Sequence, residues 1–125
     1  MKTVAAFALG VLVTVLLFAA QHGAAQDPTL LAPDYFKVIL ENERVRVIDD
    51  LVPAGATVGM HSHGEYVVYP LTSYRMKFTL PDGTTRVAEI QAGTPRYVNG
   101  MVHGEENIGT TDAHAVLIEI KAPPK

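Results

Sequence analysis

Residues 74–90 read YRMKFTLPDGTTRVAEI, and the fold follows from them. Tyr74, Met76, Phe78 and Leu80 alternate with Arg75, Lys77 and Thr79, the period-two pattern of a strand with one dry and one wet face. Pro81-Asp82-Gly83-Thr84 then predicts a turn, because proline pre-sets its own φ and glycine accepts φ > 0. Thr85 to Ile90 is the expected hairpin partner. Outward from this hairpin the same grammar repeats. Tyr35–Ile39, Arg44–Ile48 and Tyr66–Tyr69 are rich in β-branched and aromatic residues, and polar or Pro/Gly breaks bound them. Arg96–Val98 extends, Asn99-Gly100 is expected to make a tight turn, and Ala113–Lys121 alternates again. No helical pattern of useful length follows residue 25. Seven to nine short strands at this spacing predict an all-β, antiparallel sandwich or barrel in a single domain.

The apolar residues ahead of that region obey a different rule. Lys2 is followed by an uncharged apolar or small run from Val4 to Ala20, then by Gln21-His22-Gly23-Ala24-Ala25. That is the order of a secretory signal peptide, with cleavage expected after Ala25. The alternative is an uncleaved membrane anchor, although no basic stop-transfer cluster follows. The reading gives a signal peptide at 1–25, a flexible lead at 26–34, the domain at 35–121 and a tail at 122–125, in a periplasmic or secreted protein that keeps no membrane contact once the signal is removed. The mature chain carries 9 basic and 13 acidic residues, without the stripe of cations that nucleic-acid binding requires. The chain has no cysteine, which excludes disulfides, thiolate ligands and cysteine nucleophiles even in an oxidising compartment.

His61-Ser62-His63 puts two imidazoles on one face of an extended strand, and His103 lies far downstream. Neutral imidazole is the commonest protein ligand for divalent transition metals, and three leave positions open for water or substrate. Alone, an H-x-H pair is better read as two solvent-facing loop histidines. Its surroundings say more. Gly55, five residues, His61-Ser62-His63 and a following strand resemble the first cupin motif, G-x5-H-x-H-x3,4-E-x6-G. Gly100-x2-His103-x3-Asn107 resembles the end of the second, P-x-G-x2-H-x3-N. The resemblance spans roughly Val45 to Lys121. It implies a double-stranded β-helix (jelly-roll barrel), a metal held by His61, His63 and His103, and a dioxygenase, isomerase or lyase type of chemistry. Within that family the segments Phe78–Gly83, Glu106–Gly109 and Ile118–Lys121 look like the small single-domain cupins related to the β-alanine degradation protein. Small cupins commonly dimerise, so the resemblance also implies a homodimer.

The departures are specific. The motif glutamate falls at Val67 or Val68, the motif proline at Val98, and Gly93 stands one residue too close. Glu65 is then the outside candidate for an additional ligand. A metal on three neutral imidazoles keeps its full charge and polarises what binds it; iron, zinc, nickel, manganese and copper all suit such ligands. Tyr66, Val68, Arg96 and Tyr97 are pocket candidates. Arg96 can hold a substrate carboxylate, although the tyrosines read better as core aromatics and Arg96 as a surface cation. Glu106 or Asn107 could orient an imidazole or simply serve a turn. His114, on a face with Val116, Ile118 and Ile120, reads as a core or interface residue, and Asp49-Asp50 as a solvated turn. The expected function is an exported cupin-domain protein with a three-histidine metal site, acting on a small organic acid; the alternative is a metal-free small-molecule-binding module.

Overall fold

The computed structural model describes residues 25–124; the expected signal peptide lies almost wholly outside them. Seven strands form one antiparallel sheet: β1 Phe36–Glu41, β2 Val45–Val52, β3 Thr57–Pro70, β4 Tyr74–Thr79, β5 Thr85–Ile90, β6 Arg96–Asn107 and β7 Ala113–Ile120. Their order is β1-β2-β7-β3-β6-β4-β5, so the two long strands β3 and β6 sit centrally and β7 crosses back between β2 and β3. The expected hairpin forms with Tyr74 opposite Ile90 and Thr79 opposite Thr85. Leu80 and Gly83 close its turn through Leu80 N–H to Thr84 O and Gly83 N–H to Leu80 O, with Gly83 at φ +84°. The core packs Phe36, Ile48, Val52, Val58, Met76 and Leu117 between the inner faces of the curled sheet. Each such side chain contributes roughly 1.5–3 kcal/mol through burial. Among the described residues no helix is long and apolar enough to cross a membrane.

Four local expectations change. Asn99-Gly100 is not a hairpin turn: both residues lie inside β6, and Gly100 takes φ +73° opposite Gly64. The inward alternation shifts at this glycine pair. In β3 His61 and His63 face in, Gly64 and Glu65 face out, and Tyr66 and Val68 face in again. Asp49 and Asp50 are not a solvated turn but the middle of β2, paired with Val116 and Ala115. In β7 the buried face is Ala113, Ala115, Leu117 and Glu119, so His114 lies on the outer face, where its Nε2 meets Asp49 Oδ1 at 2.7 Å. The outer row here (Val116, Ile118, Ile120) is the more apolar of the two, so hydrophobicity alone points the strand the wrong way. Finally, the 26–34 lead carries a short helix, α1 Pro28–Leu31, capped by Asp27 Oδ1 on Thr29 N–H at 2.9 Å.

Candidate metal centre

His61 and His63 come from β3 and His103 from β6, where His61 and His103 are direct cross-strand partners. Two-residue spacing puts the first pair on one face, and register delivers the third. All three rings are buried, and one ligand atom from each lies within 4.8 Å of the others. Ring centroids are 4.6 Å apart for His61–His103, 5.0 Å for His61–His63 and 5.7 Å for His63–His103. Phe36 lies 5.5 Å from His61, and Phe78 stacks on His103 at 5.0 Å, so the cluster has aromatic walls.

Hydrogen bonds select the free nitrogens. His61 donates Nδ1–H to Gly59 O at 2.8 Å, which leaves its buried Nε2 without a partner. His63 donates Nδ1–H to Glu119 Oε1 at 3.1 Å, which directs its Nε2 away from that bond. Neither ring nitrogen of His103 has any partner. Buried polar atoms are rarely left unpaired in a folded protein, and here several converge. Burial depresses His61 to about 4, against the Gly59 bond, and His103 to about 3, with the neighbouring imidazoles adding to it. Both rings are therefore neutral near pH 7, the form that binds a metal. The donor set fits a divalent transition metal, since a carboxylate–histidine pair and a carbonyl–histidine pair both fix the tautomer and ring plane that coordination needs.

Glu119 is the residue that sequence reasoning missed. Its Oε2 also accepts from Arg46 Nε at 2.7 Å and Nη2 at 2.6 Å, and Arg46 Nη1 reaches Asp27 Oδ2 at 2.6 Å. Burial works against the ionised form of Glu119, yet the bonds from His63 and Arg46 hold its carboxyl below the usual range. The lead joins in from the other side: Ser62, between the two histidines, donates its N–H to Gln26 O and its hydroxyl to Ala25 O, each at 3.0 Å. Only the inward phase of β7 could have revealed Glu119 in the sequence, and that phase is masked by the apolar outer row.

Two more acids were missed. Glu105, 8% exposed, lies two residues beyond His103, with its Oε2 4.0 Å from His103 Nε2 and its Oε1 unpartnered. Burial pushes its carboxyl up to about 7. Asp50 extends a sealed, unpartnered Oδ1 into the same space, and burial, then the Glu105 and Asp49 charges, raise it well above the carboxylate range. Glu65, by contrast, does not join the histidines. The shift of alternation at Gly64 turns it outward, where its carboxylate meets the exposed Tyr97 hydroxyl. Asn107 serves a turn, donating to Val52 O and Thr111 O and accepting from Gly109 N–H, while Glu106 pairs with Lys77.

Two cavities lie on this side of the barrel, and the inner one reaches the histidines. An inner chamber of about 50 Å³ is lined by His63, His103, Asp50, Glu105, Tyr74 and Arg96, among others. An outer one of about 270 Å³ is lined by Arg86, Arg96, Tyr97, Leu80 and Met101. Tyr66, Val68, Phe78 and Arg96 line both, so of the pocket candidates Tyr66, Val68 and Arg96 stand between the two, and Tyr97 lines the outer one alone. Burial raises Tyr66 to about 12 and pushes Tyr74 up further, with Glu105 and Asp50 adding to both shifts and Arg96 opposing them.

A small antiparallel barrel with histidines from two central strands converging inside it defines the class. No family model matches the sequence, and no curated protein matches it. Solved structures do. A cupin domain from Bordetella pertussis is 32% identical, with a TM-score of 0.64 over 70% of this chain and 92% of that one. The chain belongs to the cupin superfamily. An RmlC-like cupin with a double-stranded β-helix from Methanocaldococcus jannaschii shares the fold at 17% identity, TM-score 0.55, over 68% of this chain and 77% of its own. A protein from Klebsiella pneumoniae with a double-stranded β-helix domain does so at 21% identity, TM-score 0.53, over 66% and 72%. The finer likeness to the β-alanine degradation protein has no counterpart among these three.

Proposed function

We propose that this chain is an exported, metal-binding cupin whose His61, His63 and His103 hold one divalent transition metal facing a cavity for a small organic acid. The observation that carries the reading is that buried His61 Nε2 and both His103 nitrogens have no partner, while one ligand atom of each of the three histidines lies within 4.8 Å of the others. Such a metal would polarise a bound oxygen or acidify bound water. The chain's own residues do the rest. Glu119 and Gly59 O orient two of the rings, Phe36 and Phe78 exclude water, and Arg96 offers a cation to an anionic ligand at the passage between the cavities. Whether turnover follows binding is what separates a dioxygenase, isomerase or lyase from a binding module.

The test is elemental analysis of untagged protein exported by its own leader, with His61→Ala and His103→Ala beside it. Near-stoichiometric iron, zinc, nickel, manganese or copper, lost in both variants, supports the proposal and names the ion. No metal after dialysis against all five overturns it and leaves the metal-free ligand-binding barrel. N-terminal sequencing of the same sample tests removal of the first 25 residues, and its solution mass tests the homodimer expected from the sequence.

A further inference from the structure

The space beside the histidines has opposite chemistry at its two ends. In the outer cavity Arg86 and Arg96 form no ion pair with any described residue, unlike Arg46, Arg75, Lys77 and Lys121. Two uncommitted guanidiniums over apolar walls (Leu80, Ala88, Val98, Met101) make a receptor for a single anionic group. In the inner chamber the free polar atoms are the reverse. Glu105 Oε1 and Asp50 Oδ1 are sealed from solvent, unpartnered, and belong to residues that line it. The chamber has room for a water molecule or a similarly small group. Arg96 borders both spaces, so an anion is held best in the outer cavity, where Arg86 joins it and the two acids are farther off, and an apolar tip in the inner chamber would leave both oxygens unpaired, each at a cost. What remains is a small group that donates a hydrogen bond.

We propose that the cavity takes a short carboxylic acid bearing a hydroxyl or amino group, its carboxylate on Arg86 and Arg96 and its O–H or N–H donated to Glu105 and Asp50. This rests on the small-acid reading above and narrows it. It does not depend on which metal the histidines hold. Glu105 and Asp50 thereby become specificity-determining residues: they distinguish a hydroxy or amino acid from the plain acid of the same length, whereas the arginines bind both. A hydrogen bond gained in a closed site is worth about tenfold in affinity, and losing it falls on one class of ligand only.

The experiment is calorimetric titration of the full exported chain, metal-loaded and chelator-treated, with butyrate, the 2-, 3- and 4-hydroxybutyrates, the corresponding aminobutyrates and methyl phosphate. The expected result is that at least one hydroxy or amino acid binds about tenfold or more tightly than butyrate. Which series wins distinguishes hydroxyl from ammonium. In Glu105→Leu the advantage collapses to within about twofold while butyrate affinity holds. Arg96→Met weakens every acid together. Thermal melts of each variant report folding, and Asp50→Asn gives a second test of discrimination where Glu105→Leu fails to fold. Butyrate binding as tightly as all its substituted analogues, discrimination that survives in Glu105→Leu, or methyl phosphate outcompeting every carboxylate overturns the proposal. Metal content is read separately on the same samples. Discrimination in protein that takes up no metal even when loaded therefore sinks the metal centre alone, and metal without discrimination sinks this inference alone.

Discussion

Replacing Glu119 by glutamine tests whether the centre is held from behind. The substitution keeps volume and removes one charge. Glu119 Oε1 accepts from His63 Nδ1–H, and its Oε2 accepts twice from Arg46. A glutamine has one acceptor oxygen, so its amide N–H₂ must face either His63 Nδ1–H or the guanidinium, donor against donor. The pair is well shielded, with side chains 11% and 18% exposed, so solvent repairs little of the loss. Arg46 keeps Asp27, which limits the damage. A net cost of about 2 kcal/mol is therefore expected, in line with hydrogen bonds to charged groups. In a domain of this size that is a fall of about 10 °C in Tm. Metal affinity should fall by about 10- to 100-fold, the usual effect of removing the carboxylate behind a ligating imidazole. The first number comes from thermal melts in chelator, the second from competition with a colorimetric chelator at pH 7. The sign with pH also follows. Because the Glu119 carboxyl is held below its ordinary value, its stabilisation is present above that value and is lost as pH falls through the folded one. The gap between wild type and variant should thus narrow on acidification. If affinity stays within about twofold of wild type while Tm falls as calculated, Glu119 is a structural anchor and does not orient His63.

Two further outcomes are expected. In metal-free protein the Glu105 carboxyl, raised to about 7 by burial, keeps its proton over a range where the unfolded chain has lost it. Its contribution to stability therefore falls as pH rises from about 4.5 to about 7. Glu105→Gln should melt close to wild type at pH 4.5 and increasingly above it towards pH 8; a gap that does not change with pH counts against this account. Val68→Glu places a carboxylate on the wall shared by His63 and His103, at one of the two positions where the cupin motif expects it. It should tighten metal binding in the folded variant, measured by the same competition titration, and equal or weaker affinity would show that Val68 does not face the ion.

Much of the architecture was legible because it depends on local alternation. The hairpin from Tyr74 to Ile90 could be read, since proline and glycine mark the turn and one face is uniformly apolar, although its register, with Thr79 opposite Thr85, could not. The three histidines were legible for a different reason: H-x-H fixes two rings on one strand face whatever the fold, and the downstream motif supplies the third. What stayed hidden depended on strand phase and on partners far apart in the chain. Glu119 sits on the less apolar face of β7, which burial selects only because Arg46 and His63 satisfy its charge. Asp50 read as part of a solvated turn and Glu105 drew no reading at all, because no propensity rule puts an unpaired carboxyl inside. Glu65, the nearest carboxylate to the motif position, faces outward because alternation does not continue through Gly64. The glycine at position 100 resembles a turn residue, but it takes its positive φ within a strand.

The chain of contacts behind His63 also ties together distant parts of the sequence. Asp27, Arg46, His63 and Glu119 lie at the start, the first half and the far end of the folded region, and each depends on the next. A polypeptide emerging from its N-terminus can thus display both histidines of β3 long before the carboxylate that aligns one of them exists. The last strand works as a clasp. Until it slots between β2 and β3, His63 has no fixed tautomer, and an ion captured early would meet a loose and indiscriminate set of ligands. Were the proposed metal bound, its tight retention would report completed folding.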